Sequence, residues 1–571
     1  MRSSSLRQLS QGFLTYGIRS FSETAAQRSP VSKKPGLSTA AKVGIAVPTV
    51  LIGSWVASSK DPATRVAIAF QLPVRFARDI TCAGLIAADY KWSLRNLSGD
   101  QYEQAKRACH ARGADRLQKL CFANRGVYIK LGQHIAQLEH LLPEEYVQTM
   151  RRTMLDQCPV SPYSEVSRMI TEELGSPPEA LFASFEEKPI ASASLAQVHR
   201  ATGHDGKQLA VKVQHAGLKD SCTADILTVE FLVRLVDWFF PDFNYTWLVE
   251  EIKNTTPKEL DFTIETANAE RCRKNLQSPR SHVRGRVKIP DILHHLSTDR
   301  VITMEFVNGA GVCDREALQR MGVKPSDVAK LVSETFNEMI FTFGDVHCDP
   351  HAANMMVRKK NGKPELVLLD HGLYRQITDE FRIEYAGLWR ALVFGDAEGI
   401  KQHAAAMNAA DSYAFFASML TMRPWEEITK SSVDHLYLPS SEEGRRQLQQ
   451  NAAKFAKEIT NMLWRVPRPL LLLLKTNDCL RTVDGCLGQS VNTFIITARE
   501  CTRALNEARL EQHASIKTWL VCAADSFGVE LRIAALKLMA WWSGMRVTLK
   551  LDRKPQNQLA PPTALQSVPA A

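Results

Sequence analysis

The chain has 571 residues, of which 45% are apolar and 23% charged, the balance of an ordinary globular protein, so wholesale disorder and a fibrous repeat are excluded. A mean hydropathy of -0.19 excludes a bundle of membrane spans. The net charge of +10 is half spent at the front, where Arg2, Arg7, Arg19, Arg28, Lys33 and Lys34 face only Glu23; the remainder is too dilute to argue for nucleic acid.

Residues 1–40 are rich in Arg and Ser, and Leu6, Leu9, Phe13, Leu14, Ile18 and Phe21 recur at steps of three and four. An amphipathic, acid-poor start of this kind predicts a mitochondrial transit peptide. Residues 41–60 hold an uncharged stretch, Val43 to Ser59, which as a helix would reach about 25 Å, a little short of a bilayer's apolar core of about 30 Å. It reads equally as a single membrane anchor or as a buried or interfacial helix. Twelve cysteines lie far apart with no CxxC, which predicts neither a disulfide framework nor a zinc site and points to a reducing compartment.

Residues 61–158 form a helical extension by their three- and four-residue apolar steps, broken by Pro159 and Pro162. A mixed segment, 159–309, contains a β pair, "ASLAQVHRAT" and "QLAVKVQH", joined by the turn "GHDGK". A long helical stretch follows over 218–278, and "RVITMEFVNG" is a further strand ended by Asn308-Gly309. In residues 310–550, set apart as the helical C-lobe, nearly everything from 325 onward reads as helix except "VHCDPHAANMMV" and "LVLLDHGLYR"; residues 551–571 read as a disordered tail. The helix around Trp541 and Trp542 is either a membrane-surface or partner helix with basic ends or one buried against the helical region, and burial is the expectation.

Three clusters carry chemistry. Lys212, inside "LAVKV", is either an edge-strand lysine in water or a buried one that needs an anionic partner. Asp349 and Asn354 in "HCDPHAAN", with Asp370 leaving a strand before Gly372, offer the hard oxygen ligands that Mg²⁺ prefers. Strand lysine, Glu-bearing helix, Asp and Asn loop, then a further Asp is the chain order of a phosphoryl-transfer site. His347 and His351 could in principle share a zinc ion, but Pro350 opposes a helix there, and His347 reads better as a structural histidine. His294-His295 reads as a surface turn.

Taken together, "KLGQ" at Lys130–Gln133, "PIASASLAQVHRA" at 189–201, "LAVKVQ", "ELDFTIETAN" at 259–268, "HCDPHAANMM" and "LLDHGLY" resemble the UbiB, or aarF-domain, atypical kinase family. The wording "DHGLY" and "LKTNDCLR" is most similar to its mitochondrial aarF-domain-containing kinase 1 group. The resemblance implies an α+β, atypical protein-kinase-like fold with a small mixed N-lobe, a large helical C-lobe and a helical KxGQ extension in front. It implies ATP and Mg²⁺ as cofactors: Lys212 as the nucleotide lysine, Glu265 as its ion-pair partner, Asp349 in the catalytic loop, and Asn354 and Asp370 as metal ligands. Lys130 would enter the site and pair with Glu259. Ala191, Ser192, Ala193 and Ser194 would replace the glycine-rich phosphate loop, and the hinge to the adenine would lie at Met304–Val307, including Glu305 and Val307.

Two departures stand out. Ala352-Ala353 occupies the place where many relatives have Pro-Gly, and His371 stands where protein kinases put the DFG phenylalanine. The implied function is ATP hydrolysis or phosphoryl transfer tied to lipid or coenzyme Q homeostasis and to mitochondrial morphology, at the inner membrane. Membrane lipids or a lipid-like substrate would be partners, with protein partners unknown. The competing readings are a pseudokinase scaffold that uses nucleotide binding as a switch, and a lipid-binding helical module.

Overall fold

A computed structural model describes residues 62–136, 142–154, 158, 160–239, 246–429, 467–489 and 491–548. The expected leader, the anchor stretch and the tail after 550 lie outside these residues. Among the described residues, no helix is long and apolar enough to cross a membrane.

The apolar spacing ahead of the proline break yields, among the described residues, four helices: α1 (Pro62–Ser93), α2 (Gly99–Asn124), α3 (Val127–Ala136) and α4 (Glu144–Met154). α3 carries the KxGQ residues and buries nearly its whole length. Its Gly132 is there for space, since a Cβ would come within 2.8 Å of Met154 Cγ on α4. Two buried polar links fix this layer. Asp79 of α1 accepts from Tyr128 Oη at 2.7 Å and from Asn124 Nδ2 at 2.9 Å. Arg75 pairs with Asp225 at 2.6 Å, tying α1 to α6 (Leu218–Phe239).

After the proline break comes α5 (Tyr163–Leu174), then an antiparallel sheet. Its spine runs β1 (Ser184–Phe185), β3 (Ala196–Thr202), β4 (Gln208–Gln214), β6 (Val301–Glu305), with β2 (Ala191–Ser192) also on β3. Strand alternation decides the fate of Lys212. Val211 and Val213 face Val166, Met169 and Ile170 of α5, so Lys212 must point to the other face. That face is covered by α8 (Phe262–Leu276), whose Phe262 packs with Ala210, Ile302 and Met304. Before α8 runs α7 (Thr246–Glu259).

A second sheet joins β5 (Val287–Lys288), which precedes β6, to β10 (Lys363–Leu368), β9 (Met355–Lys360) and β7 (Ala310–Gly311), which follow it. A two-stranded ribbon, β8 (Asp345–His347) with β11 (Tyr374–Gln376), completes the strands among the described residues. The β9–β10 hairpin is more strand than the apolar runs predict; its turn is Asn361-Gly362, with φ of 51° and 77°, the left-handed pair that an Asn-Gly dipeptide supplies. The remainder is helical, including α9 (Pro325–Asn337), α10 (Asp379–Phe394), α11 (Arg468–Cys486), α12 (Thr493–Gln512) and α13 (Ile516–Thr548). The architecture is α+β, as expected.

One expectation is corrected, and a second is met along only part of its helix. Cys313 and Cys486 form a disulfide, with Cα atoms 5.5 Å apart and a sequence separation of 173. A spacing rule registers only local cysteine patterns, so a bridge between a loop after β7 and the end of α11 leaves no trace in it. The segment containing the two tryptophans does lie in α13, but only part of that helix is buried. Ile533 is covered, whereas Leu531 and Leu538 are exposed; the side chains of Trp541 and Trp542 lie outside the described residues.

Burial of Asp79 pushes its carboxyl up from 3.8 to about 6. A raised carboxyl stabilises the fold fully below its unfolded value and loses that contribution as pH rises through the folded one. The stability of wild type relative to Asp79→Asn, measured by thermal melts, is therefore expected to fall between about pH 4 and pH 6 and to level off above it.

Candidate active site

Lys212 Nζ lies 2.7 Å from Glu265 Oε1, 2.9 Å from Oε2, and 2.8 Å from Asp370 Oδ2. The first partner comes from α8 and the second from the loop that ends β10, so one strand, one helix and one loop meet on a single ammonium. Asp261 caps α8 by accepting from Thr263 N–H at 3.0 Å, which fixes the turn on which Glu265 sits. The Gly372 N–H holds Asp370 Oδ1 at 3.0 Å. Burial tends to raise Asp370, but Lys212 outweighs it and keeps this carboxyl well below the usual aspartate range. Burial pushes Glu265 the other way, up to about 7, because one ammonium serves two carboxylates.

The second cluster lies on the loop after β8. Asn354 Nδ2 donates to Asp349 O at 3.0 Å, the orientation that leaves Oδ1 as the acceptor end of the amide. Leu369 N–H donates to Asn354 O at 3.0 Å, so Asn354 and Asp370 sit on touching backbones. A carboxylate and an amide oxygen suit Mg²⁺, which takes its other ligands from phosphates and water. Among the described residues no group of three or more His, Cys, Asp or Glu side chains is arranged to hold a metal. His347 receives the Asp349 N–H at 3.2 Å and stacks on Tyr374 with centroids 5.0 Å apart, while His351 Nε2 lies 3.8 Å from Asp349 Oδ2. His371 is buried and bonded to Tyr374 Oη at 2.9 Å, filling the DFG-phenylalanine place with a polar contact.

Lys130 reaches Glu259 at 2.5 Å, both buried. Burial opposes its charge, but Glu259, Asp349 and Asp370 together hold it above the usual lysine range. The alanine- and serine-lined segment forms the hairpin of β2 and β3. Ala191 pairs with Val198 and Ser192 with Gln197, and the turn is closed by Ala193 N–H on Ala196 O at 2.8 Å. His215, itself held by Ser161 Oγ at 2.9 Å, contacts Ala193 O at 3.1 Å. Ser194 is buried. At the other end of β4, Leu209 is in register with Glu305; the Glu305 side chain is taken by Lys288 at 2.7 Å, and Val307 is buried. The loop and the hinge thus bracket Lys212, about 17 Å apart along the strand. His294 lies at the surface 3.5 Å from Glu270.

One residue of the quoted motif "LKTNDCLR" has a place in the site that the motif reading did not assign. Lys475, buried on α11, lies 3.3 Å from Asp349 Oδ1. Burial raises the Asp349 proton affinity, but Lys475, followed by His351 and Lys130, wins and holds the carboxyl well below the usual range. The available signal was a lysine after five leucines in "LLLLLKTNDC", where burial demands an anion.

The chain is similar to known proteins over most of its length. Residues 153–404 match the ABC1 atypical kinase-like domain. An ABC1 protein of Arabidopsis thaliana is 45% identical, covering 89% of this chain and 98% of that protein. AarF domain-containing protein kinase 1 of Mus musculus is 40% identical, covering 83% and 91% respectively. Among solved structures, the complex of Rv3197 with erythromycin from Mycobacterium tuberculosis is 20% identical with a TM-score of 0.39, covering 67% of this chain and 97% of that one, too distant to carry an argument.

Removing one partner of a buried ion pair leaves a charge without compensation. Lys475→Met is expected to lower stability by about 3 kcal/mol in urea unfolding at pH 7, and Lys475→Arg is expected to recover most of it.

Proposed function

The chain belongs to the ABC1, or AarF-domain, atypical kinase family, and from that premise we propose that it binds Mg-ATP and turns it over, by hydrolysis or by phosphoryl transfer. The observation that carries this reading is Lys212 held between Glu265 and Asp370, with Asp349 and Asn354 on the adjoining loop. Lys212 meets the α- and β-phosphates, and Glu265 fixes its position. Asn354 and Asp370 hold Mg²⁺, which when bound neutralises the phosphate oxygens. Asp349, kept ionised, orients the attacking oxygen and receives its proton as the γ-phosphoryl leaves ADP. The adenine lies toward the backbone of Met304–Val307, because the Glu305 carboxylate is already committed to Lys288. The triphosphate lies toward Ala191–Ser194.

The hairpin in place of a glycine-rich loop carries Cβ atoms where protein kinases bring bare backbone over the phosphates. The Lys130–Glu259 pair adds a helix at the site. Both favour slow ATP turnover over phosphorylation of protein substrates. We place the activity in mitochondria, at the inner membrane, on the strength of the Arg-rich, acid-poor residues 1–40 and the uncharged stretch that follows. A link to lipid or coenzyme Q homeostasis, and to mitochondrial morphology, accompanies that placement. We also propose the division into extension (61–158), N-lobe (159–309) and C-lobe (310–550).

A second reading, a nucleotide-driven switch without turnover, is favoured by the pairing of Asp349 with Lys475. The full chain decides between them. Mg-ATP is expected to raise the melting temperature by mass action, and single-turnover assays are expected to show Asp370→Asn slower than wild type by at least about 100-fold. Lys130→Ala is expected to bind nucleotide and to change the turnover rate. Binding without turnover in all three proteins would establish the switch, and absence of a thermal shift in wild type would overturn both readings.

A further inference from the structure

Helix α13 is apolar on two faces. Cys522, Val529 and Ile533 are buried against the body, where Val529 and Ile533 meet Ile495 of α12. On the outer side Ile516 (81%), Leu520 (56%), Phe527 (71%), Leu531 (61%) and Leu538 (63%) stay open to solvent. At 100° per residue, positions 520, 527, 531 and 538 fall within about 40° of one another, and the stripe from 516 to 538 runs about 33 Å. A continuous apolar strip of that size on a soluble surface marks an interaction face.

We propose that this outer stripe is a docking face for an anionic lipid surface, on which α13 lies parallel to the membrane plane. Charge selects the occupant. Lys517 and Lys537 are exposed and sit ten residues either side of Phe527, about 80° to its left and right, the places from which lysines reach headgroups while the apolar strip sinks. The acids of this helix are turned to protein partners: Asp525 lies 2.9 Å from Arg390 and 3.2 Å from Arg509, and Glu530 lies 2.6 Å from Arg499. The sequence beyond adds Arg546, Lys550, Arg553 and Lys554 against Asp552, further attraction to anionic headgroups. A second copy fits less well. The acids of such a copy, Asp525 and Glu530, are already engaged by arginines of their own chain, so a copy offers Lys517 and Lys537 no counterion, whereas an anionic surface does.

The test uses the full chain with an environment-sensitive fluorescent amino acid in place of Phe527. Vesicles of phosphatidylcholine with about one-third phosphatidylglycerol are expected to shift its emission to the blue and to float the protein, with pure phosphatidylcholine giving neither and high salt reversing both. The exposed-site variant Leu520→Glu/Leu531→Glu is expected to keep its circular dichroism and to lose at least about tenfold in vesicle partitioning. Flotation with unchanged emission would put the contact elsewhere in the chain and overturn the proposal. Absence of flotation, or equal response to neutral vesicles, would overturn it as well. A blue shift that grows with protein concentration in the absence of lipid, together with a dimer in sedimentation, would assign the face to a second copy instead.

Discussion

An ammonium group cannot remain charged in a protein interior unless carboxylates take the place of its water. Lys212 obtains two, one from a helix and one from a loop 158 residues away. Satisfying that one charge requires β4 to present its polar position away from α5, α8 to begin where Asp261 caps it, and β10 to end where Asp370 emerges. The three elements share little sequence proximity and much of their geometry is answerable to this contact. It is a condition on the fold before it is a property of any ligand.

Two further ammonium groups approach the same region from outside the span that matches the family domain. Lys130 arrives on the extension and Lys475 on α11, and each is buried against a carboxylate. Their arrangement gives the site alternating charges: Glu259 with Lys130, Asp349 with Lys475, Asp370 with Lys212. A triphosphate entering such a site meets three cations that are already engaged, so binding has to compete with existing pairs. In the function proposed above, that competition would slow turnover independently of the missing glycines.

Much of this was legible in the sequence because the relevant signals are local. The β3–β4 pair shows in its alternation and its Gly-Asp turn, the strand ending at Glu305 shows in its apolar run, and Lys130, Lys212, Glu265, Asp349, Asn354 and Asp370 sit in long motifs. What stayed hidden depends on distant contacts. The partner of Lys475 is 126 positions away in numbering, the Cys313–Cys486 bridge spans 173, and the open face of α13 has the same apolar periodicity as a buried one. The β9–β10 hairpin is different: Asn361-Gly362 was there to be read as a turn, but the flanking charges of "RKKNGKPE" mask the strands around it.

The matched span, residues 153–404, contains Glu259 and Asp349 but neither Lys130 nor Lys475. Cut out on its own, such a fragment would keep the acids and shed these lysines, leaving Glu259 and Asp349 without their ammonium partners at the candidate site. The smallest piece that can be asked about this chemistry is therefore longer than the matched domain, and boundaries drawn from that domain match alone would dismantle the electrostatics they were meant to isolate.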